Sequence, residues 1–248
     1  MKIHLINPNT TASMTATAAD AARRVAAAGT EIVPVTSAMG PVSIEGYYDE
    51  ALALPGLLME VARAERAGAD AIIIACFDDT GLDAARALAS VPVIGICEAA
   101  LAVTSFIAQR FSVVTTMERS RIPIEALVHR YGMAERCRVR AADIPVLSLE
   151  DPGSDAGPRL RAEIGAALQV DKAEAIILGC AGMADLVAEL SAEFAVPVVD
   201  GVASAVKQAE ALVSLGLKTA KRGPYATPVA KPYLGLLSPF APQTLAAS

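Results

Sequence analysis

Apolar runs of about four residues, each closed by a polar or glycine-rich turn, alternate along this chain with longer Ala- and Leu-rich stretches of helical spacing. Short β-branched runs of that kind read as buried strands, and the stretches between them as helices packed on a sheet. Ile3 to Ile6 is the first strand and breaks at Asn7-Pro8. Asn9, Thr10, Thr11 and Ser13 offer N-cap side chains to a helix that runs to about Ala28 and is ended by Gly29. Glu31 to Val35 is the second strand. A turn-rich segment, Ser37 to Tyr48, delays the next helix until about Asp49, and a loop of that length inside a compact domain is often functional. A helix to about Ala67 follows, then the strand that carries Cys76, a helix over about Gly81 to Ala89, the strand Pro92 to Gly95 and a helix from Glu98 to Gln109.

The pattern then restarts. Arg110 to Thr116 matches the opening strand, with Thr115 and Thr116 falling where Asn7 to Asn9 fell. Ile122 to Tyr131 is helical, Cys137 to Ala142 is a strand, and Pro145 to Pro158 is a second long connection that mirrors the first. A helix, the strand that carries Cys180, a helix over about Ala184 to Phe194, the strand Val196 to Val199 and a helix to about Leu215 complete the series. Cys180 follows Cys76 by 104 residues, and Val196-Pro197-Val198 follows Val91-Pro92-Val93 by 105. Self-similarity at so long a period means two related lobes, not a solenoid. The expected fold is therefore α/β, with two pseudo-symmetric Rossmann-like lobes, each a mostly parallel sheet flanked by helices, and the active site in the cleft between them. Residues 1–96 with 213–248 would form lobe one, carrying Cys76, and 97–212 lobe two, carrying Cys180.

With 248 residues, 54% of them hydrophobic, the chain can bury a large core. Its net charge of −6 gives no basic surface for nucleic acid, and no run of Lys or Arg suits a membrane surface. No apolar run approaches membrane-spanning length, and Met1 to Pro8 is too short and too polar for a secretory signal, which places the protein in the cytoplasm. Four cysteines with no CxxC and only two histidines make neither a disulfide scaffold nor a zinc site. Free thiols are expected, with no metal and no cofactor. Walker A, GxGxxG after a strand, GxSxG and HExxH are all missing.

Both thiols sit where a strand hands over to a helix, the end of a parallel α/β sheet at which ligands bind. Two facing thiols suit a racemase or epimerase, which removes a proton from one face of an acidic carbon and returns one to the other. One thiol must be ionised and the other protonated. A helix N-terminus would favour the thiolate, and the backbone N–H groups of Phe77, Asp78, Asp79, Ala181, Gly182 and Met183 could hold an oxygen that gains charge. Blander readings stand beside these. A free cysteine is usually a small core residue, and Cys97 and Cys137 are read that way. Asp78 and Asp79 could simply cap the third helix, and Thr115 and Thr116 could be caps. His4 and His129 are read as structural or solvated. Of the tyrosines, only Tyr47 and Tyr48 are placed near the cleft.

The motifs Ile6-Asn7-Pro8-Asn9-Thr10, Gly40 to Ala51, Ala75-Cys76-Phe77-Asp78-Asp79-Thr80-Gly81-Leu82, Leu178-Gly179-Cys180-Ala181-Gly182-Met183-Ala184 and Pro197-Val198-Val199-Asp200-Gly201-Val202 together resemble the hydantoin racemases of the aspartate/glutamate racemase superfamily. The resemblance covers nearly the whole chain up to about Lys231. It implies cofactor-independent racemisation of 5-monosubstituted hydantoins, Cys76 and Cys180 as the acid/base pair, a small-molecule hydantoin substrate and a homo-oligomer. Where amino-acid racemases of the superfamily follow each catalytic cysteine with Asn-Thr, this chain has Phe77-Asp78 and Ala181-Gly182, which argues for a cyclic amide over a free amino acid. The stretch after the first cysteine, often Gly-Asp-Pro in the family, is Asp78-Asp79-Thr80 here. Asn9, Ser43, Ile44, Phe77, Asp78, Thr115, Thr116, Ala181 and Gly182 are the expected substrate-binding residues. Allantoin racemase, which shares the fold and the paired cysteines, is the nearest alternative. A binding protein that kept the cleft without turnover is another, but ligand binding alone needs neither thiol.

Overall fold

A computed structural model describes residues 1–151 and 153–242. Pro152, in the second long connection, and residues 243–248, at the end of the segment assigned to lobe one, lie outside the described residues.

Among the described residues, eight strands form two four-stranded sheets of the same design. The first contains β1 (Lys2–Asn7), β2 (Glu31–Thr36), β3 (Ala71–Ile74) and β4 (Val93–Gly95) in the order β2-β1-β3-β4. The second contains β5 (Phe111–Thr115), β6 (Cys137–Ala141), β7 (Ala175–Leu178) and β8 (Val198–Asp200) in the order β6-β5-β7-β8. Every pairing is parallel. Parallel neighbours need a crossover, and helices supply it. They are α1 (Ala12–Val25), α2 (Tyr47–Arg66) and α3 (Leu82–Leu88) in the first half, and α5 (Glu118–Arg130), α6 (Ala156–Ala166) and α7 (Val187–Phe194) in the second. The inner strands β3 and β7, Ala-Ile-Ile-Ile and Ala-Ile-Ile-Leu, are buried throughout, as strands covered on both faces must be. This is the two-lobed α/β fold the residue pattern predicts.

Two helices tie the sheets together. α4 (Ile96–Ser105) leaves the first sheet directly from β4, and α8 (Gly201–Ser214) leaves the second directly from β8. The two pack against one another, and α8 also lies on β3 and β4. Ile3, Leu5 and Ile73 of the first sheet, Val113 and Ile177 of the second, and Ile96, Leu101, Val202 and Val206 of these helices belong to one continuous core. Separate outer cores lie under α2 and α3, around Leu57, Val61, Ile72 and Ile74, and under α6, around Leu160, Ile164, Ile176 and Leu178. We propose the lobe boundaries at 96/97 and 212/213, with α4 and α8 as the connecting pair. Beyond α8 the chain returns to the first sheet's side. Thr219 donates from its N–H to the Ser90 carbonyl at 3.0 Å and from its hydroxyl to the Val91 carbonyl at 2.6 Å. The Lys221 ammonium then donates to the carbonyls of Arg86, Ala87 and Ala89 at the end of α3.

Several element ends differ from the sequence reading. α1 stops at Val25, and Thr11, its N-cap, makes no side-chain cap. The polar side chains before it are tied to one another: Asn7 Nδ2 donates to Asn9 Oδ1 at 2.8 Å and to Thr15 Oγ1 at 3.0 Å, while Asn9 Oδ1 accepts the Thr11 N–H at 2.9 Å. α5 begins at Glu118, a turn earlier than the apolar periodicity suggests. The Cys180 strand leads into a single 3-10 turn, Ala181–Met183, and α7 starts only at Val187. A true side-chain cap occurs at Asp200, whose carboxylate accepts the N–H groups of Val202 and Ala203 at 2.7 and 2.9 Å. Among the described residues no helix is long and apolar enough to cross a membrane.

Candidate active site

The strands of each sheet end in register, so the segments that leave them converge. In the first sheet Ile74 pairs with Ile6 and with Gly95, and in the second Leu178 pairs with Val114 and with Asp200. Cys76 and Cys180 lie two residues beyond Ile74 and Leu178, and both open into one narrow cavity of about 40 Å³. Asn9 from the end of β1 and Thr115 and Thr116 from the end of β5 line the same cavity, as do Ile44, Phe77, Asp78 and Ala181. Both cysteines and most of the binding residues singled out from the sequence thus meet here.

Ser43 and Gly182 stand just outside. Ser43 donates to Glu45 Oε1 at 3.2 Å, and the same oxygen accepts the Val146 N–H at 3.3 Å, so the first long loop touches the second across the cleft. Gly182 lines an adjoining groove. Tyr47 and Tyr48 are not at the cleft: they open α2 and are 64% and 78% exposed. Cys97 and Cys137 are core residues, as read. His4 is buried in β1 and His129 lies on α5, and neither lines the cavity.

The sequence reading missed Met14, Ala75, Ser120, Val146 and Gly179, all of which line the cavity. For Val146 a signal existed. It lies in the connection that mirrors the loop of Ile44, and the repeat that paired the cysteines pairs these loops as well. Thr115 is placed as expected but is already engaged, since its hydroxyl donates to the Gly179 carbonyl at 3.1 Å and fixes the residue before Cys180.

The backbone around the two thiols is matched. The Asp78 N–H donates to Cys76 Sγ, and the Gly182 N–H to Cys180 Sγ. The next N–H groups, those of Asp79 and Met183, donate to the carbonyls of Cys76 and Cys180 at 3.0 and 3.1 Å. Of the N–H groups expected to face a ligand, these are used within the two turns, which among the described residues leaves those of Phe77 and Ala181, both at the cavity wall.

Both thiols favour the protonated form, against the expectation that a helix N-terminus would ionise them. Burial pushes Cys76 well above the ordinary thiol range and the Asp78 carboxylate adds to this, while the Thr80 hydroxyl, 3.4 Å from Sγ, opposes it. Cys180 is pushed up to about 11 by burial, helped by Asp78 and Glu45 and opposed by the Gly182 N–H. The physical reason is placement. α3 starts six residues after Cys76, and Cys180 opens only a three-residue turn, so neither thiol sits on the dipole of a full helix.

Asp78 and Asp79 have separate duties. Asp78 faces the cavity, and burial together with Glu50 and Asp79 raises its carboxyl to about 7. Asp79 does not cap α3, whose N-cap is Gly81. Its φ of 46° turns the carboxyl toward α4, where it accepts the N–H groups of Cys97 and Glu98, both at 3.0 Å, and the Tyr131 hydroxyl at 2.7 Å. Gly95 makes room for it, since a Cβ there would fall 2.3 Å from Asp79 Oδ1. The turn that carries Cys76 is thereby bolted to the helix joining the two sheets.

Among the described residues no Lys, Arg or His lines the cavity, and no cluster of three or more His, Cys, Asp or Glu could hold a metal ion. The arrangement suits an uncharged molecule gripped by backbone donors between two thiols.

The family model of Asp/Glu/Hydantoin racemase matches residues 3–209. A hydantoin racemase of Rhizobium meliloti is 51% identical over 236 residues, covering 95% of this chain and 98% of that protein. Among solved structures, an allantoin racemase from Klebsiella pneumoniae superposes with a TM-score of 0.94 at 47% identity, covering 98% of this chain and 99% of that one. A glutamate racemase from Francisella tularensis shares the fold at a TM-score of 0.66 and 14% identity, over 100% of this chain and 94% of that one. With the family model spanning most of the chain and relatives this similar over nearly their full length, the chain belongs to the Asp/Glu/Hydantoin racemase family.

Proposed function

We propose that this protein racemises 5-monosubstituted hydantoins without a cofactor, by proton transfer between C5 of the ring and the thiols of Cys76 and Cys180. One observation carries the reading: two thiols from equivalent turns of two equivalent sheets open into a single cavity that no cationic side chain lines. A thiolate on one face takes the C5 proton, and the thiol on the other face delivers its own to the opposite side. The electron pair left on C5 moves onto the adjacent carbonyl oxygen, to which the N–H groups of Phe77 and Ala181 donate. After one turnover the two sulfurs have exchanged states, and the enantiomer runs the cycle in reverse. Asn9, Thr116 and Ile44 hold the ring, with Ser43, Asp78, Thr115 and Gly182 behind or beside them.

The substrate class follows from charge. A hydantoin is neutral and presents amide N–H and C=O groups, whereas a free amino acid would bring its carboxylate beside Asp78 with no cation to meet it. The ureido-substituted hydantoin, allantoin, is the second reading, favoured by the similarity to an allantoin racemase. We also place the protein in the cytoplasm as a homo-oligomer. Support for self-association comes from Leu234 and Leu236, which stand 84% and 96% exposed in the C-terminal segment.

Polarimetry with a panel of hydantoins tests the activity. Replacing Cys76 or Cys180 by Ser should lower racemisation at least ~100-fold, the usual scale of a positioned acid or base, with circular dichroism unchanged. Full activity in either variant overturns the mechanism.

A further inference from the structure

We propose that the buried Thr80 hydroxyl is a further catalytic residue: it steadies the Cys76 sulfur as thiolate through a hydrogen bond that Cys180 lacks, so that the enzyme binds and turns over its two enantiomers unequally. This rests on the racemase reading above and divides the work within its thiol pair.

Thr80 is 0% exposed, and its hydroxyl donates to Cys76 Sγ at 3.4 Å. A hydroxyl is both donor and acceptor, so it can donate to a thiolate and accept from a thiol. The bond to the charged sulfur is the stronger of the two. The backbone on each side fixes the hydroxyl in place. Asp79 is anchored to the first turn of α4 through the N–H groups of Cys97 and Glu98, and the Leu82 N–H donates to the Asp79 carbonyl at 3.1 Å. A donor fixed in advance loses nothing by reorienting when the sulfur gains charge.

The second turn has no such group. The 104-residue offset that carries Cys76 to Cys180 carries Thr80 to Ala184. Backbone donors are matched, with the Asp78 N–H on one sulfur and the Gly182 N–H on the other, but among the described residues no side chain donates to Cys180 Sγ. The surrounding charges do not restore the balance. Asp78 and Cys180 face Cys76, while Asp78 and Glu45, the latter from the first long loop, face Cys180. Both sulfurs ionise against carboxylates, and among the described residues only Cys76 has a hydroxyl to offset them.

A racemase cannot favour one enantiomer in kcat/KM, because the two have equal free energy and the equilibrium between them fixes that ratio. A better-held thiolate acts on the two parameters separately. Thr80 lowers KM and kcat by the same factor for the enantiomer whose proton goes to Cys76, relative to its mirror image.

Two measurements on the full chain test this. The first follows alkylation by iodoacetamide at pH 8, sulfur by sulfur, by peptide mass spectrometry. In a Cys180→Ser background Thr80→Val should slow alkylation of Cys76 about threefold, since a more basic sulfur ionises less but attacks faster. Thr80→Ser should restore the Cys76 rate, and in a Cys76→Ser background Thr80→Val should leave the Cys180 rate unmoved. The second measures kcat and KM by polarimetry for each enantiomer of 5-methylhydantoin, above the uncatalysed rate. Thr80→Val should move the ratio of the two KM values about tenfold, the loss of one bond to a charged acceptor, and the ratio of the two kcat values with it. A merely structural role would slow both enantiomers alike and leave those ratios where they were. Circular dichroism checks folding, and Thr80→Ala takes the place of Thr80→Val should the latter unfold. An unchanged Cys76 rate, an equal fall at both sulfurs, or unmoved ratios between the enantiomers overturns the role of Thr80. No turnover by the wild-type protein overturns the racemase reading instead, while the alkylation rates still report on the bond.

Discussion

Between about pH 4 and 7 the native chain holds protons on Asp78 and Asp79 that an unfolded chain releases, because burial leads the causes that raise both carboxyls to about 7. A raised carboxyl favours the fold only while it keeps its proton, so stability should fall as pH rises through that window. Urea midpoints at pH 5 and pH 8 should differ, and an Asp78→Asn, Asp79→Asn double variant should narrow the difference. Asp78 also bears on rate. Above pH 7 its charge opposes ionisation of both thiols, so Asp78→Asn should move the rising limb of the pH profile of kcat/KM to lower pH; an unmoved limb would remove Asp78 from the electrostatics of the pair. Asp79→Ala leaves two N–H groups and the Tyr131 hydroxyl without their acceptor and should cost about 3 kcal/mol in urea unfolding. The two cysteines were readable because each ends an apolar run and the runs repeat. The duty of Asp79 was not, since it depends on a left-handed residue and on a helix that begins 17 residues later.

Among the elements, α4 and α8 join the two sheets through a shared core. A Cβ at Gly201 would meet the Ile96 carbonyl oxygen at 2.4 Å, so the first turns of the two helices touch backbone to backbone. Gly201→Ala should cost roughly 1–3 kcal/mol by overpacking, seen as a lower urea midpoint, and should disturb turnover because the pair links the two thiol-bearing sheets. At the other end of the chain, Lys221→Ala removes a cation from the last carbonyls of α3 and should cost about 1 kcal/mol. Strands and their order of appearance were legible, because a buried parallel strand must be an unbroken apolar run. Helix starts were less so. Asn9 and Thr11 look like caps in sequence, yet the Asn7 side chain draws Asn9 into a knot of its own, and such pairings are set by tertiary position and not by local pattern.

At the scale of the molecule, the Glu45 carboxylate meets the Val146 N–H across the cleft, and the packed pair α4 and α8 joins the same two halves. The same pair lies in a core that both sheets share, which runs from Ile3 to Val206 without a break. A chain ending after α4 would leave Ile96 and Leu101 facing water and would need another copy of itself to cover them. The second half, with the same strand order 2-1-3-4, stands where that copy would stand, and each half brings one thiol to the shared cavity.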